Sequence, residues 1–93
     1  MQISLDAEVV RKDDCLGAAV GDEQVLLDVE RGVYIGLNPI GSDIWQRIER
    51  PVRVSALCAA LSQAFEGDPA QIETDVVAFL GTLLEQGLIR VTQ

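Results

Sequence analysis

Ninety-three residues are enough for one hydrophobic core and too few for two. An apolar fraction of 48% excludes a disordered chain, and fifteen acids against seven bases give a net charge of −8. That sign repels phosphate backbones, so nucleic acid is a poor partner and a neutral or basic peptide a better one. The same acidity would also serve solubility alone. Histidine is absent, which removes the commonest general base and the commonest transition-metal ligand.

The N-terminus, Met1-Gln2-Ile3-Ser4-Leu5-Asp6, has neither the basic flank nor the apolar run of a signal peptide. No stretch approaches the ~20 apolar residues that span a bilayer, so a soluble cytoplasmic protein with no membrane association is expected. The two cysteines, Cys15 and Cys58, form no CxxC pair and suit a reducing compartment. Cys58 falls within an apolar helical pattern and reads as a small core residue, and Cys15 follows an acidic turn.

In chain order, Val9 to Lys12 reads as a short first strand. Asp13 to Gly17 and Gly21 to Glu23 read as turns, and Ala18 to Val20 fits either strand or loop. Gln24 to Val29 and Val33 to Leu37 form a clear hairpin pair joined by Glu30-Arg31-Gly32, with Gly32 suited to the left-handed position of a three-residue loop. Asn38-Pro39 is an N-cap followed by a first-turn proline, and Ile40, Ile44, Trp45 and Ile48 share one face of the helix that Pro51 would stop. A second helix is expected from an N-cap at Ser55, burying Leu57, Cys58, Leu61 and Phe65 and ending at Gly67. Asp68-Pro69 then opens the longest helix, which Gly87 closes. Leu88 to Val91 either adds a closing strand or packs on the core. The order predicts an α+β fold resembling a winged helix-turn-helix, with a three-stranded antiparallel sheet followed by three helices.

Two features exceed the needs of a small domain. The strand Val33 to Leu37 leaves directly into a helix and is placed to be a sheet edge, where Gly36 would permit close backbone approach; alternatively, Gly36 relieves crowding and the edge is covered. On the last helix, Ile72, Val76, Val77, Phe79, Leu80, Leu83 and Leu84 span roughly 160° at ~100° per residue, against the ~100° stripe of a helix packed on one side. Phe79 and Leu83, beside Asp75, Thr82 and Gln86, would form one wall of a groove, unless so small a domain buries the whole arc.

A DNA-binding winged helix would need cations on that last helix, yet Glu66 to Gly87 holds five acids and no base. Arg47, Arg50 and Arg53 cluster at a helix end, where cations are favoured without any phosphate. No glycine-rich phosphate loop, nucleophile with its base, or metal-ligand spacing is present, so neither catalysis nor a cofactor is expected.

The stretches Val25-Leu26-Leu27-Asp28, Gly32 to Asn38, and Gly41 through Ile44-Trp45, with Phe79-Leu80, Leu83-Leu84 and Gly87-Leu88-Ile89, resemble the PqqD-like family over about Val20 to Val91. The resemblance implies a recognition element for ribosomally made, post-translationally modified peptides. The leader of the precursor would add as a β-strand to Val33, Tyr34, Ile35, Gly36 and Leu37, against a helix wall of Asp75, Val76, Phe79, Thr82 and Leu83. The segment Leu37 to Trp45 is most similar to the lasso-peptide version, whose implied partners are a cysteine-protease-like leader peptidase and an ATP-dependent cyclase. The alternative within the family is a peptide chaperone for a radical enzyme in quinone-cofactor synthesis. Outside it stand a winged-helix regulator and a purely structural or antitoxin-like subunit.

Overall fold

The computed structural model describes residues 3–12, 15–20, 23–28 and 31–92. Six strands and three helices follow in the order β1 (Glu8–Arg11), β2 (Cys15–Val20), β3 (Glu23–Asp28), β4 (Val33–Leu37), α1 (Pro39–Arg47), β5 (Val52–Arg53), α2 (Val54–Ala64), α3 (Pro69–Glu85) and β6 (Ile89–Thr92). They make two antiparallel three-stranded sheets, ordered β5-β1-β6 and β2-β3-β4. The α+β class and the helix triplet are as expected. The second sheet is not, because β1 does not join the hairpin. Fully buried Val9 pairs instead with Val52 and Val91, strands brought beside it from the far end of the chain. The hairpin takes its third strand from Cys15 to Val20, so Cys15-Leu16-Gly17 is ladder rather than turn. Asp13, Asp14, Gly21 and Asp22 lie outside the described residues.

The helix signals are only partly those that act. Asn38 caps α1, its side-chain oxygen accepting the Gly41 N–H at 2.7 Å. Asn38→Ala should lower Tm by about 4–8 °C in thermal unfolding, the equivalent of about 1 kcal/mol for a lost cap. α1 ends at Arg47, four residues before Pro51, with Ile48 as its C-cap. The Ile48 carbonyl accepts from Arg11 N–H at 2.9 Å, so β1 takes the place of the next turn. Ser55 does not cap α2. The helix starts at Val54, after an Arg53 that makes no side-chain cap bond. The orphan N–H groups of Val54 and Ser55 are satisfied by the carbonyls of Ala7 (2.9 Å) and Leu5 (3.0 Å), so the N-terminal segment itself caps the helix. α2 stops at Ala64, ahead of Gly67.

Asp68 caps α3 as expected, accepting the Ala70 N–H at 3.0 Å. At the other end Gly87, at φ +73, closes a Schellman motif in which Leu88 N–H bonds Leu83 O and Gly87 N–H bonds Leu84 O. This turn points the chain back along β1 as β6. One core joins the layers: Trp45, Ile44 and Ile48 of α1 and its C-cap, Leu57 and Leu61 of α2, Val76, Leu80 and Leu83 of α3, and Val9, Leu26 and Ile89 of the sheets. Trp45 is the joint between the two sheets. A methyl built on Gly17 of β2 would lie 3.7 Å from its indole nitrogen, and the Arg11 guanidinium of β1 lies 5.3 Å from a Trp45 ring centre.

Candidate functional site: an open strand edge beside the last helix

β4 is the last strand in its sheet, paired with β3 on one side and with no strand on the other among the described residues. The hairpin register decides which of its backbone groups remain free. The Asp28 carbonyl accepts from Gly32 N–H at 2.9 Å, so Asp28 turns its polar groups toward β4. Bonded and non-bonded pairs alternate along an antiparallel ladder. The bonded pairs are therefore Asp28↔Val33, Leu26↔Ile35 and Gln24↔Leu37, and the N–H and C=O groups of Tyr34 and Gly36 point out of the open edge. The register also makes the hairpin connection four residues, 29–32, rather than three. Val29 and Glu30 lie outside the described residues, and Gly32 holds the expected left-handed conformation at φ +67.

Side chains alternate across the sheet as well. Leu37 is buried and Ile35 half-buried, facing the core, whereas Tyr34 is 73% exposed on the opposite face. Gly36 shares the outer face with Tyr34, and a Cβ added there would meet nothing within 4 Å. Glycine at this position is thus not demanded by crowding within the chain.

α3 is tied to the β4 hairpin at both ends. Near the start of α1, a methyl on Gly41 would sit 3.3 Å from Phe79 Cζ and 3.5 Å from Leu37 Cδ2, so the Phe79 ring and the last side chain of β4 both come up against Gly41, in space a larger residue would fill. At the hairpin turn, the Arg31 guanidinium donates to the Gln86 carbonyl. Between these ties, Asp75, Phe79, Thr82 and Gln86 form one row at helical spacing. The Asp75 carboxylate accepts from the Gln71 amide at 2.9 Å, and the Thr82 hydroxyl donates to the Ala78 carbonyl at 3.2 Å. A cleft of about 130 Å³ opens at the α1 end of this row, lined by Asn38, Ile40, Gly41, Ile44, Asp75 and Phe79.

Of the anticipated helix wall, the structure leaves Asp75 and Thr82 exposed and Phe79 half-buried. Val76 and Leu83 are fully buried at 0% exposure and sit behind the wall. The reason is angular: at ~100° per residue, Leu83 and Val76 lie about 40° and 60° inward from Phe79 on the arc, turned toward the core. Sequence reading missed the opposite wall of the cleft, Asn38, Ile40 and Gly41, and the strut from Arg31. Gly41, a glycine inside a helix, was the available signal, since such a residue commonly marks close packing.

Among the described residues no cluster of His, Cys, Asp or Glu could hold a metal ion, and no helix is long and apolar enough to cross a membrane. The thiol of Cys58 lies away from the groove; burial first, and the charge of Glu73 second, push its pKa up, which keeps it protonated and unreactive.

The family profile for coenzyme PQQ synthesis protein D (PqqD) matches residues 23–89. The chain belongs to the PqqD family. Its fold is also that of two solved complexes. One is TbiB1 with the TbiA(beta) leader peptide, at 31% identity and TM-score 0.76, covering 87% of this chain and 94% of that one. The other is a lasso peptide synthetase B1 with the leader peptide, at 23% identity and TM-score 0.70, covering 88% and 96%. No curated protein matches the chain. The PqqD profile begins at β3 and ends in β6, so it spans the edge strand, α1 and the whole of α3.

Proposed function

We propose that this PqqD-family chain binds the leader of a ribosomally synthesised precursor peptide as an added strand on β4. It then presents the peptide, in the cytoplasm, to a leader peptidase and a cyclase of lasso-peptide biosynthesis, itself doing no chemistry. The observation that carries this reading is the open β4 edge with the Asp75–Gln86 row beside it. The complex of the 31% identical TbiB1 with a leader peptide supports the class of guest and favours the lasso assignment over a chaperone for quinone-cofactor synthesis.

The register specifies how such a guest sits. An antiparallel strand, the slightly more stable arrangement, would exchange hydrogen bonds with Tyr34 and Gly36. Guest residues opposite Ile35 and Leu37 would turn inward toward α3, and the one opposite Leu37 lies nearest the Phe79 cleft. An apolar or aromatic side chain suits that place, and a basic neighbour suits Asp75. Main-chain bonds would supply affinity and register, and the cleft selectivity. Val76 and Leu83 would act by holding Phe79 and Thr82 in position.

Titrating ¹⁵N-labelled protein with the TbiA(beta) leader peptide tests this directly. Amide shifts should concentrate at Tyr34, Gly36 and Phe79 to Thr82. Phe79→Ala should weaken binding about tenfold, equivalent to about 1.4 kcal/mol, with the fold retained by circular dichroism. Shifts confined to the β5-β1-β6 sheet, or unchanged affinity in a folded Phe79→Ala variant, would remove the groove from consideration.

A further inference from the structure

The two cations at the hairpin end of the groove are unusual in a chain of net charge −8. Arg31 precedes β4 by two residues and reaches the Gln86 carbonyl. A methyl built on Gly87 would lie 3.5 Å from Arg31 Nη1 and 4.0 Å from Lys12 Nζ, so cationic heads from the two sheets converge on one point past the end of α3. Among the described residues neither joins an ion pair, the pairs present being Arg11–Glu49 and Arg47–Asp43. Asp28 accepts the backbone N–H of Arg31 at 3.3 Å. A helix C-terminus favours one nearby cation, but a second brought beside it adds like-charge repulsion.

We infer that Arg31 and Lys12 form a carboxylate-receiving subsite for the captured peptide, on the C-terminal side of its bound strand. The inference rests on the leader-binding reading and adds direction and charge to it. A guest antiparallel to β4 runs from Leu37 toward Val33, so the residues after its strand pass the hairpin turn, where these cations stand. Asp75 lies at the opposite end, beside the cleft. The groove is therefore acidic where the guest's strand begins and basic where it leaves. An Asp or Glu arriving there would meet Arg31 in charge-assisted hydrogen bonds stronger than the present one to the Gln86 carbonyl. The recognised class is a peptide with an acidic residue just beyond its strand segment.

An aspartate scan of the TbiA(beta) leader peptide, read by fluorescence anisotropy, tests the subsite. One position following the strand segment should gain about fivefold in affinity, the order expected of a partly exposed pair, and lysine there should lose as much. Both effects, each measured relative to the parent peptide on the same protein, should vanish in the Arg31→Gln/Lys12→Gln double variant. Cations that served only the helix end would lower Tm when replaced and leave the scan unchanged, which overturns the proposal. So does an aspartate gain that lies before the strand or survives in the double variant. If the parent peptide fails to bind, the leader-binding reading fails and the subsite with it. If it binds and responds to β4 substitutions but no gain depends on Arg31 and Lys12, the subsite alone fails.

Discussion

Gly36→Pro is expected to abolish measurable capture of the TbiA(beta) leader peptide, while Gly36→Ala binds within about twofold of the parent. The two substitutions separate the backbone from the side chain. A Cβ at Gly36 projects into open space on the outer face, so alanine adds a methyl that touches nothing among the described residues. Proline at the same place deletes the N–H that points out of the β4 edge and puts a ring where the guest backbone would approach. Proline is tolerated on edge strands, and the Gly36 N–H faces away from β3, so no ladder bond within the sheet is lost. One net hydrogen bond is worth about 0.5–1.5 kcal/mol, and the steric exclusion of the neighbouring guest residue comes on top. Calorimetry with the peptide, beside thermal melts of each variant, gives the comparison. Equal binding by the proline and alanine variants would mean that the guest does not use this edge.

Leu83→Asp is expected to unfold the domain, and Leu83→Ala to cost about 2–5 kcal/mol, roughly 10–25 °C of Tm for a chain this size. Leu83 has no exposed surface, and its carbonyl accepts the Leu88 N–H that closes α3. Substitution there strikes the core and the Schellman turn from which β6 departs. A small domain holds about 5–10 kcal/mol in total, so an unpaired carboxylate at this depth exceeds what it can absorb. The sequence placed Leu83 in the helix wall of the groove, and its complete burial makes it a core residue instead. Phe79, four residues earlier and half-buried, is the position where loss of affinity and loss of stability are expected to separate. A folded Leu83→Asp variant with selectively impaired binding would show that this part of α3 faces the groove after all.

These two residues show how far local pattern reaches. Periodicity marked both Phe79 and Leu83 as apolar members of one arc, and it cannot say how much of a wide arc the neighbouring elements will cover. α1, α2 and the sheets cover Val76, Leu80 and Leu83 and leave the flank with Phe79 half-open. Caps show the same divide. Asn38 and Asp68 act within a few residues of themselves, so their roles were legible in the sequence. The start of α2 was not, because its N–H groups are satisfied by carbonyls some fifty residues away.

By itself the sequence determined the hairpin with its left-handed Gly32, the existence of three helices, the acidic character that disfavours DNA, and the candidate edge strand. Each depends on neighbours within one or two turns of chain, where side-chain type and backbone preference suffice. Tertiary structure alone decided that β1 leaves the hairpin to pair with β5 and β6, that Gly41 and Phe79 meet at the cleft, and that Arg31 and Lys12 come together beyond Gly87. Those contacts join segments dozens of residues apart, and they follow from how a single small core can bury all of its apolar faces at once.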